Sequence, residues 1–220
     1  MFVGHYGVSF AAKPATGQVP LWVLFIAVQW LDFWWSVFIL TGVEHARITP
    51  GFTEASPLDL YDMPWSHGLL GSVLLSVLLG AIAAMAFKGQ RWRTFVVVAL
   101  AAFSHWVLDF VSHPPDLPLI GEHMKVGLGL REHRLLNLGV EIAVLVAGGV
   151  VWTLGVRLSA WRKAAMWGLI AGLSALEVAG EFGVSPATAR DEAVVALISY
   201  MVIAVLVRLV EGKSRPQVSN

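Results

Sequence analysis

Apolar runs of about 20 residues recur along this chain, each long enough to cross a hydrocarbon core of about 30 Å. Six can be drawn, at 20–42, 66–87, 92–112, 135–156, 164–180 and 191–210. The chain is 57% hydrophobic and only 14% charged, against about 25% charged in soluble domains. These runs predict an all-α fold, a polytopic integral membrane helical bundle of about six transmembrane helices. A shorter apolar stretch, 2–12, is closed by Lys13 and Pro14 and cannot span; it reads as a half-helix dipping into the membrane or as an interfacial helix. No soluble domain or internal repeat is visible. The whole of 1–220 reads as one membrane-embedded domain, with a core over 1–157 and two additional helices over 158–212.

Composition removes several classes of function. Net charge is zero, so no basic surface argues for nucleic acid. With no cysteine there are no disulfides, no thiolate chemistry and no Cys-type zinc site. The first residues, Met1 to His5, lack the basic stretch of a cleavable signal. The sequence is silent on oligomeric state.

What remains polar inside the spans is therefore informative. His105, Asp109 and His113 are spaced four apart at the end of an apolar run, which places them on one helix face, one turn above another. Imidazole nitrogen and carboxylate oxygen aimed at one point are what a helix-borne metal site requires. Asp32, Glu141 and Glu177 are the other ionisable residues in the spans. Leaving Asp32, Asp109 and Glu141 unpaired would cost about 10 kcal/mol on insertion scales. No Lys or Arg lies deep enough to neutralise them, so a divalent cation or a set of protons must. Asn137, one turn from Glu141, reads as a helix–helix hydrogen bond. Ser66 reads as an N-cap that puts His67 in the first turn of the second span. His45, His123 and His133 read as solvated loop residues, in the polar stretches 43–65 and 114–133.

Gly4-His5, Leu31-Asp32, Ser66-His67 and Ser104-His105-x-x-x-Asp109 occur in that order over the first half of the chain. This ordered set resembles the bacterial membrane-bound predicted metal-dependent hydrolases, a family that includes LexA-regulated inner-membrane members. More remotely, the order His, Asp, His, His-x-x-x-Asp, Glu is similar to zinc-dependent phospholipase C. The resemblance implies metal ligands at His5, Asp32, His67, His105, Asp109 and Glu141, with His113 as an addition. It implies Zn²⁺ or another divalent metal. It implies Asp32, or second Glu141, as the base that positions water. The substrate it implies is amphiphilic, a phosphoester lipid by analogy, and the partners are membrane lipids. Two other readings stand beside it: an ion- or proton-coupled permease, and a non-catalytic scaffold with a structural metal.

Orientation follows from the basic residues. Ten of the 15 lie on the side shared by Lys13, Lys88, Arg91, Arg157 and the C-terminal tail with Lys213 and Arg215. That asymmetry places both termini in the cytoplasm of a bacterial inner membrane and the 104–113 motif toward the outer leaflet. A reporter fused after Asn220 is expected to read cytoplasmic, and a tag near Glu54 to be reached from outside. The reverse pattern would put the motif on the inner face.

Overall fold

The computed structural model describes residues 1–121 and 123–211; Glu122, Lys213, Arg215 and Asn220 lie outside the described residues. Eight α-helices account for most of the chain. They are α1 Val3–Ala12, α2 Leu21–Val28, α3 Trp30–Thr41, α4 Leu69–Ala86, α5 Arg91–Ser112, α6 Arg134–Gly155, α7 Ala160–Glu181 and α8 Ala189–Glu211. Four of them, α4, α5, α6 and α8, are long and apolar enough to cross a membrane, and α2 with α3 makes a fifth span if the bent pair counts as one. α7 is as long as α5 but carries Arg162, Lys163, Glu177 and Glu181.

The bundle is built inside out. The buried face of α4 is Ser72, Ser76, Gly80 and Ala83, a stripe of small residues one helical face wide. Its leucines face outward: Leu74 is 61% exposed and Leu70 59%. In water this arrangement would be unstable, whereas in lipid, small residues let helices approach while large apolar ones meet acyl chains. At Gly80 an added Cβ would press on Phe95 and Ala99 of α5.

The first apolar run does not form one helix. It breaks at Gln29, and α2 and α3 meet at 52°. Val28, the last residue of α2, has a carbonyl beyond the helical ladder, and His105 Nδ1 takes it at 2.6 Å. Asp32 consequently sits in the first turn of α3, where the helix dipole favours a carboxylate.

The short N-terminal stretch is inserted in the bundle, not laid on it. At 10 residues α1 is about 15 Å long. Val3, His5, Tyr6 and Phe10 are fully or almost fully buried, and Tyr6 and Phe10 pack on Phe25 of α2 while Phe10 meets Trp152 of α6. Two glycines permit this. A Cβ on Gly148 of α6 would collide with the backbone of Gly7, and one on Gly7 would collide with the backbone of Val144.

Two sequence expectations are corrected. The stretch 43–65 is not an irregular loop: it holds a two-stranded antiparallel ribbon, β1 His45–Ile48 and β2 Leu58–Asp62. Its paired positions His45–Asp62 and Arg47–Asp59 are also ion pairs, each at 2.6 Å, so charges that look merely solvated in the sequence are cross-strand partners. Leu60 and Met63 turn inward onto Trp35, Ile39 and Leu117. The second correction concerns Ser66, which does not cap the second span. α4 starts at Leu69 with Gly68 as its N-cap, so His67 lies in the turn before the helix. Gly68 and Gly71 fit tightly against the backbone of Pro64 and Trp65, which folds that turn back on itself.

The α1–α6 contact yields a direct test. Gly148→Ala forces a methyl group into the Gly7 backbone and is expected to destabilise the protein by about 1–3 kcal/mol, the usual cost of overpacking. Gly139→Ala, on the same helix but with open space around it, is the control. Thermal unfolding in detergent measures both, and equal melting of the two variants would disprove the close packing.

Candidate metal centre

α5 brings the centre together. Its buried face runs Thr94, Val98, Ala101, Ala102, His105, Asp109 and Ser112, so the stripe that packs the bundle also carries the two candidate ligands His105 and Asp109. α3 adds Asp32, the turn before α4 adds His67, and α1 adds His5.

His105 Nε2 is 3.1 Å from Asp109 Oδ2 and 3.4 Å from Asp32 Oδ1. His67 Nε2 is 3.2 Å from Asp32 Oδ1 and 3.5 Å from Asp109 Oδ2. Ligand atoms placed tetrahedrally at bonds of about 2.0–2.1 Å are about 3.3 Å apart. Each of these four His–Asp separations is close to that length, and the groups whose ligand atoms all lie within 4.8 Å of one another are the triads Asp32–His67–His105 and His5–His105–Asp109. They are not simple hydrogen bonds: His105 Nε2, although 3.1 Å from a carboxylate oxygen, makes none.

The outer contacts fix which nitrogen faces inward. His105 Nδ1 donates to the Val28 carbonyl, which can only accept, so in the neutral ring Nε2 carries the lone pair. His67 Nδ1 donates at 2.8 Å to Ser66 Oγ, whose own hydrogen goes to Glu44 Oε2 at 2.6 Å. His113 Nδ1 donates to Asp116 Oδ1 at 3.0 Å. This is the arrangement that orients metal-binding histidines: one ring nitrogen held by an outer acceptor, the other free to ligate. Burial pushes the Glu44 carboxyl above its ordinary range, and hydrogen bonds from Ser66 and Trp65 draw it back. Burial, and then the Arg131 charge, hold the His113 imidazole below its usual value.

Asp109 faces both ways. Oδ2 looks toward His67 and His105, with His113 Nε2 at 3.8 Å. Oδ1 receives the Met1 amino group at 2.6 Å and lies 3.4 Å from His5 Nε2. His5 is wholly buried, neither of its ring nitrogens has a hydrogen-bond partner, and its ring stacks on His105 at 3.9 Å. Two overlapping ligand groups result, Asp32–His67–His105 and His5–His105–Asp109.

The remaining candidates are placed differently. His113 has left the helix: it is the C-cap of α5, in extended backbone, and it stands at the rim. Glu141 holds structure. Its Oε2 accepts from the backbone N–H of Phe2 at 2.7 Å and of Gly4 at 3.3 Å, and its Oε1 accepts from Asn137 at 3.3 Å. It caps α1 from a neighbouring helix and so holds His5 in place, while its carboxylate also lines the cavity beside the centre. Asn137 also accepts from Ser112, which joins α5 to α6.

Three contributors escape a reading of the sequence. Glu44 and Ser66 act through His67. Tyr200 of α8 donates to Asp32 Oδ2 at 2.7 Å, across 168 positions of chain. The one hint was a phenol midway along an otherwise apolar span, which needs a partner when buried.

A cavity of about 650 Å³ opens onto Asp32, His67, Asp109 and His113. Its wall carries Glu141, Glu177, Glu181, Asp191 and Glu192 against Arg131 as the one Arg or Lys. No family model, curated protein or solved structure matches the chain.

The Tyr200 contact can be measured on its own. Tyr200→Phe keeps the ring and deletes the hydroxyl, and is expected to lower stability by about 1.5–3 kcal/mol, the range for a hydrogen bond to a charged group. Melting indistinguishable from wild type would show that Asp32 does not depend on it.

Proposed function

We propose that this protein is a membrane-embedded metal-dependent hydrolase acting on an amphiphilic substrate, and that it is one of the membrane-bound predicted metal-dependent hydrolases that its motifs resemble. The observation carrying this reading is that His67 Nε2 and His105 Nε2 each lie 3.1–3.5 Å from a carboxylate oxygen of both Asp32 and Asp109, with His105 Nε2 making no hydrogen bond. Two neutral imidazoles and two carboxylates form a donor set that suits zinc. His5 and Asp109 Oδ1 supply a second position, and His113 stands beside Asp109 Oδ2. Bound there, such an ion supplies Lewis acidity toward a phosphoryl or acyl oxygen and makes water acidic near neutral pH.

The chain's own groups divide the remaining work. Asp32 Oδ1 meets both histidines, and its Oδ2 is held by Tyr200, so its carboxylate is aimed before any substrate arrives. Glu141 fixes α1, and through it His5.

The substrate reading rests on the shape of the cavity. Its wall runs from Asp32 and Asp109 out to Leu176, Val184 and Val195, which are 48%, 102% and 52% exposed on the flank of α7, the following loop and α8. An acyl chain can lie along that flank while its polar group reaches the donors. A phosphoester lipid is the proposal, by analogy. The matching topology counts α2 with α3 as one broken span and α4 to α8 as five more. Both termini are then cytoplasmic in an inner membrane, and the site opens near the outer leaflet.

One observation favours a second reading, an ion- or proton-coupled permease: the break at Gln29 lies three residues from a carboxylate inside a span, as in transporters built from discontinuous helices. Uptake into proteoliposomes in the absence of turnover would select it.

Metal content separates the readings first. Protein purified without chelator is expected to carry zinc or a similar divalent ion at about one per chain or more, and His105→Ala with Asp109→Ala to abolish it. Full occupancy in that variant would disprove the ligand assignment. Bound metal without turnover on a lipid phosphoester panel would select the scaffold.

Asp32→Asn separates the possible roles of Asp32. As the group that positions water, its loss lowers turnover about 10²-fold or more while metal stays bound. As a ligand, its loss lowers metal content as well. Unchanged turnover together with unchanged metal, in a preparation whose wild type is active, removes Asp32 from the chemistry.

A further inference from the structure

The opposite end of the bundle holds a second cavity, about 1580 Å³, at the starts of α5 and α7. Lys13, Arg93, Arg157 and Arg162 line it, and among the described residues Glu211 is the one carboxylate in its wall. That carboxylate is already spent: one oxygen lies 3.2 Å from Lys13 Nζ and the other accepts the Leu21 N–H at 2.8 Å. Lys13 and Glu211 thus cancel. Among the described residues, Arg93 contacts only the neutral Gln90, and Arg162 lies over its neighbour Trp161. The cavity keeps the charge of three arginines.

Two helix beginnings add to it. Both α5 and α7 are 22 residues long, and neither Gln90 nor Ser159, their N-cap residues, makes a side-chain cap; both residues line the cavity. First-turn N–H groups and two positive dipole ends are therefore presented where the arginines gather. Arginine is the side chain whose planar fork fits phosphate oxygens in pairs.

We propose that this cavity binds a phosphate oxyanion, and that its source is the head group of an anionic lipid. Depth selects the source. Trp92 and Trp161, one residue into α5 and α7, are 74% and 61% exposed, and Leu154, one turn before Arg157, is 84% exposed. Outward-facing tryptophans at the edge of an apolar band mark the level of lipid head groups. The site would then lie on the cytoplasmic leaflet, the side toward which anionic lipid draws basic residues. It is independent of the hydrolase reading, because none of its residues touches the His–Asp centre.

The test uses the full chain in neutral detergent, with native mass spectrometry and thermal melting as readouts. Phosphatidylglycerol, phosphatidylcholine and inorganic phosphate are titrated separately. Wild type is expected to retain phosphatidylglycerol at least about tenfold more tightly than phosphatidylcholine and to melt higher with it. Arg157→Gln with Arg162→Gln is expected to lose that preference, while Arg47→Gln with Arg190→Gln, at the other end, keeps it. Should the first double variant fail to fold, Arg162→Gln alone is expected to weaken retention several-fold. Equal retention of both lipids by wild type, or a preference untouched by the arginine variants, overturns the site. Stabilisation by inorganic phosphate with none by phosphatidylglycerol overturns the lipid source.

Discussion

A carboxylate in the interior of an apolar bundle must be neutralised to remain there. Asp109 is 2% exposed and meets that condition from every side: the Met1 amino group, His5, His67, His105 and His113 all lie within 4 Å of one of its oxygens. Those partners come from α1, the turn before α4, α5 itself and the end of α5. Satisfying this one group therefore dictates how three separate stretches of chain, the N-terminal segment, the turn before α4 and α5 with its C-cap, are brought together. The helix break follows from the same demand, because His105 can reach the centre with Nε2 only if something holds Nδ1, and the carbonyl freed at Val28 does so.

Much of this was legible in the sequence. The spans at α4, α5, α6 and α8 follow from apolar length, which is a property of the chain itself. His105 and Asp109 follow from helical spacing combined with the cost of burying charge. Glu141 was legible as a buried carboxylate that needs partners, but not as a cap on α1, because its partners are backbone N–H groups 137 and 139 positions away and backbone carries no sequence signal. His113 keeps its place one turn beyond Asp109, with Nε2 3.8 Å from Asp109 Oδ2, although Pro114 turns its own backbone extended and ends the helix there. The ribbon at 45–62 was hidden because its ladder is made of charged pairs, and alternating charge reads as solvent exposure. The break at Gln29 has no proline or glycine to announce it; tertiary bonding decides it.

The outer contacts of the three rim and centre histidines differ in kind. A carbonyl at the helix break, a Ser66–Glu44 relay and the Asp116 carboxylate each hold one ring. Each belongs to a different local structure, so the rings are fixed independently of each other. The aim of each ring then persists even if the support of another shifts, which is the kind of preorganisation a site needs before it can favour one ligand geometry over another.

The capping of α1 by Glu141 also has a bearing on biosynthesis. α1 is made before α6, and the carboxylate that holds its opening N–H groups is made 139 residues after Phe2. At about 5–20 residues per second, roughly 7–28 s separate them. Through that interval α1 is a ten-residue segment too short to span a bilayer, with His5 unplaced. Asp32, His67, His105 and Asp109 are all made before α6, whereas the carboxylate that caps α1, and with it seats His5, comes only with α6.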